Sequence, residues 1–416
     1  MTAPPPGVKP PHIRLPGEHF VAATGFLLIG ALSLWWIAPQ LAAGAYPAQT
    51  VVAVTHLFTL GWITTSIMGA LYQFLPVALG HAVASERLAH ITFVSYVVGV
   101  ALMTSGLGLH HAQVVAVGIT FLGTGILLFV GNLVATLRVA TRRELTWWAL
   151  ALAAVFLVVA MAAGIALTIN RFTGFLGAAQ PDALRVHLHT ALYGWVLLVI
   201  VGVSHRLLPM FLLSHGSDDR FAWWSVQLLA AGAALVAVFH HLPVLGRELP
   251  LLLLAAGLVA WIVQARRFYR HRHRPALDAG LRLSAIAIAV LAVAPLPLLL
   301  LGLPGLPASV RVLYAGTLVL GAALFVAAQY YKIVPFLVWN QYFGPLAGKQ
   351  PLPRVADLFN PRVAMVAVWL LTGGGLLLLG GVALRAPLLV RTGAALLAGG
   401  AAVEARQLLM VSGRRP

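Results

Sequence analysis

The sequence predicts an all-α polytopic membrane protein, with twelve transmembrane helices in three pseudo-repeated four-helix arcs. Three observations carry this reading. Of the 416 residues, 61% are hydrophobic and only 9% charged, where a soluble domain carries roughly a quarter charged residues. The mean hydropathy is +0.94, which excludes disorder as well, since disorder requires low hydrophobicity. The apolar residues fall into runs long enough to cross about 30 Å of hydrocarbon, which takes roughly 20 helical residues.

Taken in order, those runs cover residues 18–39, 50–79, 88–111, 114–139, 146–170, 183–213, 221–242, 250–269, 278–301, 310–338, 361–384 and 387–410. Helix breakers punctuate them. Examples are Pro39, Gly44, Pro243, the Pro304-Gly305 pair with Pro307, and Pro351 with Pro353. The first run has no small-residue cleavage pattern after it and reads as a membrane helix, not a removed signal. The loops are short, so residues 1–416 form a single membrane domain, with pseudo-repeats at about 18–139, 146–269 and 278–410.

The basic residues orient the bundle. With twelve spans, the side carrying both termini receives 21 of the 27 Lys and Arg residues, and the other side receives six: Arg171, Arg185, Arg247, Arg311, Arg385 and Arg391. Positive charge favours the cytoplasmic face, so both termini are expected in the cytoplasm of a bacterial-type inner membrane. The net charge of +17 is thereby explained without nucleic acid. The run from Arg266 to Arg274 reads as a cytoplasmic loop against anionic lipid, and the bilayer is the expected partner.

An internal repeat carries the histidines. His56 is followed by Gly61, Trp62, Gly69 and Pro76; His189 is followed by Gly194, Trp195, Gly202 and Pro209. The offsets, 5, 6, 13 and 20, are the same in both. The tenth run ends similarly at Pro335, but its histidine position is Ala315. The next helix of each repeat ends in a histidine pair, His110-His111 and His240-His241. With His187, seven of the 15 histidines lie at one depth on four helices, near the outer edge of the hydrocarbon. One interfacial histidine commonly snorkels or bonds a carbonyl. Duplicated pairs at matching depth point instead to imidazole ligation of copper, iron or zinc. His187 and His189 lie about 200° apart around their helix, so they cannot serve one site together and would face two neighbouring crevices, or one haem and one partner. His81, His90, His205, His215, His271 and His273, toward the other side, read as solvated.

The negative inventory narrows the chemistry. There is no cysteine, which excludes disulfides, thiolate metal sites, thiol catalysis and covalent c-type haem. All ten carboxylates, Glu404 among them, are expected near span ends or in loops. A proton- or sodium-coupled carrier with an acid at the midplane is therefore disfavoured, as are carboxylate-rich metal sites.

The run His187-Leu188-His189 followed by Gly194-Trp195 and Gly202 resembles the haem-ligand helix of heme-copper oxidase catalytic subunits, especially the cbb-type. Those subunits also have twelve spans in three four-helix arcs. The resemblance implies b-type haem on His187 and His189, and copper on histidines of the preceding helices. Shifted by one arc, the family pattern maps copper onto His56, His110 and His111; unshifted, onto His240 and His241 with His187 or His189. The first register keeps the span 6 histidines for iron and is preferred. The His-x-His pattern sits on span 6, whereas the oxidases carry it on span 10, so a full two-haem oxidase cannot be assembled. The chain in that respect is similar to the NnrS-like haem- and copper-containing membrane proteins. The implied function is binding or reduction of a diatomic gas, dioxygen or nitric oxide, by a candidate oxidoreductase in electron transport. An electron-donor protein or second subunit would supply electrons. The alternative is a copper or haem transporter or chaperone that loads at the outer histidine cluster.

Overall fold

The computed structural model describes residues 11–140, 143–239, 245–301 and 305–416. Twelve helices are long and apolar enough to cross a membrane: α1 (Arg14–Ala42), α2 (Gln49–Leu79), α3 (Glu86–Gly108), α4 (Ala112–Arg138), α5 (Leu145–Thr173), α6 (Gly177–Leu212), α7 (Arg220–Phe239), α8 (Arg247–Arg270), α9 (Ala279–Leu300), α10 (Ser309–Leu346), α11 (Pro361–Ala383) and α12 (Pro387–Ser412). No strand occurs among the described residues. The protein is an all-α polytopic membrane protein. Hydrocarbon offers no partner for backbone polar groups, so each span must bond internally. Thr24, Ser33, Thr120 and Thr124 fold their hydroxyls back onto the carbonyl four residues earlier for the same reason.

Two regular departures interrupt the α geometry. Residues Leu57–Thr64 of α2 and Thr190–Leu197 of α6 are π-helical, each beginning immediately after a histidine of the repeat. In α2, the Thr64 and Thr65 hydroxyls donate to carbonyls five residues back, at 2.8 and 3.0 Å, which suits the widened turn. A π-bulge inserts one residue and rotates everything beyond it about the helix axis, and such bulges concentrate at functional sites. A third π turn spans Trp339–Phe343 in α10.

The helices group into two compact units. One comprises the described residues of 71–275 and 291–318, the other 12–70, 276–290 and 319–416. In the first unit, α3 and α4 form a hairpin sealed by glycines. A Cβ at Gly99 would lie 2.2 Å from the Leu122 backbone nitrogen, and one at Gly118 would lie 2.3 Å from that of Met103. Asn132 clasps the start of α3, accepting from Ser85 N at 3.1 Å and donating to Ser85 O at 2.8 Å. The π turn of α6 packs on α5, where a Cβ at Gly194 would meet Phe156 Cβ at 2.5 Å. In the second unit the same contact recurs between α2 and α1: a Cβ at Gly61 would lie 2.7 Å from Phe26 Cβ. α11 and α12 form a second glycine-sealed hairpin, through Gly374, Gly381, Gly393 and Gly400.

At the turn between α6 and α7, Arg267 donates two parallel bonds to the Asp218 carboxylate, at 3.1 and 2.9 Å. The Arg267 guanidinium holds this exposed carboxyl below its ordinary value of 3.8. A depressed carboxylate stabilises the fold above its unfolded value and loses that contribution as pH falls through the folded one. Arg267→Ala is therefore expected to lower the thermal midpoint slightly at neutral pH. Midpoints of the two proteins should converge in acid; a difference that persists there would assign the effect to lost packing.

Candidate functional site

Four histidines share one hydrogen-bond geometry. The Nδ1 atoms of His19, His56, His187 and His189 each lie 2.8 Å from a backbone carbonyl oxygen, of Leu15, Val52, Ala160 and Arg185 respectively. A carbonyl only accepts, so Nδ1 carries the hydrogen and donates it. The tautomer is thereby set, with the lone pair on Nε2. Ligand histidines are commonly held this way, the second ring nitrogen donating to a carbonyl and fixing the ring's orientation.

His189 takes the arrangement furthest. Its side chain is 4% exposed, and its Nε2 has no hydrogen-bond partner among the described residues. An orphaned buried acceptor costs about 1–3 kcal/mol, a penalty that an electrophile on Nε2 removes. The ring lies nearly parallel to Tyr193, one turn onward in the π segment, with centroids 6.1 Å apart and planes at 11°. It also stacks on Tyr314 of α10 at 5.8 Å and 29°. The two tyrosines stand 6.4 Å apart at 18°. Their hydroxyls interact with each other and make no further hydrogen bond among the described residues. Three buried rings thus stand together beside a bare imidazole nitrogen.

His187 turns elsewhere. Its Nδ1 bond to Ala160 O crosses to α5, and a Cβ at Gly164 would lie 2.9 Å from its Cε1. The absent Cβ is what admits the ring. The two span 6 histidines therefore do face different neighbours.

The residues expected to hold copper are disposed differently. His56 is half-buried on α2, bonded back to its own helix. His110 and His111 form the turn between α3 and α4, and both are exposed. His110 takes a left-handed backbone (φ 60°) and His111 caps α4 in extended conformation. His240 and His241 lie outside the described residues. Among the described residues, no group of three or more His, Asp or Glu side chains stands close enough to hold a metal ion.

Sequence reasoning passed over several of these groups. His19 is 1% exposed and abuts Gly69, where a Cβ would lie 2.6 Å from the His19 Cβ. At the equivalent Gly202 the neighbour is Ala149, so His19 has no counterpart and the repeat did not reveal it. Tyr314 adjoins Ala315, the position where the third repeat lacks its histidine, and that adjacency was the available signal. His205, read as solvated, is mostly buried and lies 3.6 Å from Asp219. Comparison with protein-family models and with curated proteins gives no match.

Proposed function

We propose that this chain is a haem-binding, and copper-binding, integral membrane protein of heme-copper oxidase type that binds or reduces a diatomic gas. The observation that carries the reading is His189: a buried imidazole, Nδ1 tied to a carbonyl, Nε2 bare and enclosed by aromatic rings. Bound b-type haem would supply an iron able to hold dioxygen or nitric oxide, its behaviour set by the axial ligand and the surrounding polarity. The protein's own contribution is to orient that ligand, fix its tautomer and exclude water from the space beside it. Dioxygen or nitric oxide reduction further requires an electron-donor protein or second subunit. A reduced-minus-oxidised visible spectrum of the purified protein tests the reading. Soret and α bands are the expected result; a colourless preparation overturns it.

The three-arc organisation belongs to the same proposal. The recurrence of a π turn after His56 and His189, each with its glycine seated on a phenylalanine of the preceding span, supports a duplicated unit. A copper or haem transporter or chaperone is the second reading, favoured by the exposure of His110 and His111, where a loading site would need it.

Orientation rests on the 21-to-6 basic asymmetry, which places both termini and the 266–274 loop in the cytoplasm. The chain contains no cysteine, so single cysteines can be introduced there without background. They should resist an impermeant thiol reagent added to whole cells. Ready labelling from outside would invert the topology.

A further inference from the structure

Glu404 is the only acid in the buried class among the described residues. Its side chain is 1% exposed, and neither carboxyl oxygen has a hydrogen-bond partner among them. It lies on α12, eight residues before Ser412, or about 12 Å along the helix from that end. A polar residue at such depth is a functional candidate by default.

The neighbourhood is hydroxylic, not cationic. Tyr330 and Tyr331 of α10 stand within electrostatic reach of Glu404. The Tyr331 hydroxyl is buried without a partner among the described residues, while the Tyr330 hydroxyl is 2.9 Å from Ser66 Oγ. The charged and titratable groups on the helices packed against α12 are Arg14, Glu18 and His19 of α1 and Arg362 of α11. α12 itself carries Arg391 and Arg406, and α10 carries Lys332, paired with Asp278. None of these cations lies within hydrogen-bond distance of either Glu404 carboxyl oxygen among the described residues. An ionised carboxylate with neither hydrogen bond nor counter-charge is costly in such a medium, whereas the neutral acid is not.

The nearest described cleft belongs to the same unit. A cleft of about 390 Å³ is lined there by Asp357, Phe359, Asn360, Pro361, Arg362 and Arg414. Two contacts run from its wall toward Glu404. Phe359 packs on the Tyr331 ring with centroids 5.6 Å apart. Asn360 N donates to Gln407 Oε1 at 3.1 Å, and Gln407, 3% exposed, lies three residues beyond Glu404 on the same face of α12.

We propose that Glu404 is a proton-binding site within the membrane, exchanging a carboxylic-acid proton with water in this cleft past Tyr331–Phe359 and Gln407–Asn360. Unloading breaks the carboxyl O–H bond, passes the proton to water and leaves the carboxylate; loading is the reverse. No oxidant or reductant is needed. A metal cation is disfavoured as occupant, because hard divalent cations take about six oxygens and the site gathers one carboxyl with neighbouring hydroxyls. The inference is independent of haem.

Infrared spectroscopy of the full chain in neutral phospholipid vesicles tests it. At neutral pH a carboxylic-acid C=O band is expected that moves down in D2O and is missing in Glu404→Gln. Gln407→Leu, which removes the side-chain acceptor of the Asn360 N–H bond, should slow that shift several-fold. If Glu404→Gln fails to fold, uniform carbon-13 labelling of glutamate in the wild type identifies the band, since the remaining described glutamates are not buried. A missing band means an ionised group and overturns the proposal. So does a band that never shifts in D2O, which would mark a sealed acid, or one abolished by sodium at fixed pH, which would mark a cation site.

Discussion

His189→Ala is expected to leave the purified protein with at most about one tenth of its haem, a loss of about 1.4 kcal/mol or more in binding. The substitution removes the bare Nε2 that the fold holds in a buried aromatic enclosure and leaves Tyr193 and Tyr314 in place. His187→Ala should act less cleanly, because that ring also bridges α6 to α5 through Ala160 O. Some of its effect will therefore register as lost stability. His205→Ala is the control. It lies sixteen residues beyond His189 on the same helix, or about 24 Å away, and should change neither haem content nor spin state. Pigment analysis against protein concentration gives the ratio directly. If both His187→Ala and His189→Ala keep the wild-type spectrum, iron is not held by this helix.

Gly99→Val and Gly118→Val should be the most damaging single substitutions in the α3–α4 hairpin. In each case the new Cβ meets backbone, 2.2 Å from Leu122 N or 2.3 Å from Met103 N, and backbone in a helix cannot swing aside as a side chain can. The helices must separate along their whole contact, which forfeits the close packing that drives association in lipid. Overpacking of ordinary cores costs about 1–3 kcal/mol, and these two sites should reach the upper end or exceed it. Gly131→Ala, on the same α4 but with nothing within 4 Å of its Cβ position, should be neutral or stabilising by about 0.5–1 kcal/mol from helix propensity. Thermal midpoints of the three variants in detergent decide the matter. Equal losses at all three would show that glycine acts there through flexibility and not through close approach.

The spans were legible because crossing a membrane is a local requirement: a run must be apolar and long whatever surrounds it. The structure has all twelve helices where the runs fall, with ends displaced by a few residues. α1 begins at Arg14 against an expected 18, and α3 ends at Gly108, leaving His110 and His111 in a turn. The matching spacings after His56 and His189 were also legible in the sequence. Their physical content was not. That both copies break into a π turn immediately after the histidine depends on hydrogen-bond register, which residue types do not announce.

Composition, hydropathy and spacing by themselves determined the all-α membrane class and the twelve spans. Tertiary structure alone decided what each side chain meets. It set His187 against α5 and gave His189 Tyr193 and Tyr314 as neighbours, where the sequence showed only that the two rings point apart. It buried Glu404, for which the sequence offered only a position near a span end. It buried His19 against Gly69 and left His110 and His111 in the open. The physical reason is common to all of these. A side chain's chemistry is set by desolvation and by which hydrogen-bonding groups neighbouring helices bring to it. Those neighbours come from distant parts of the chain, as Tyr314 comes to His189 and Tyr331 to Glu404.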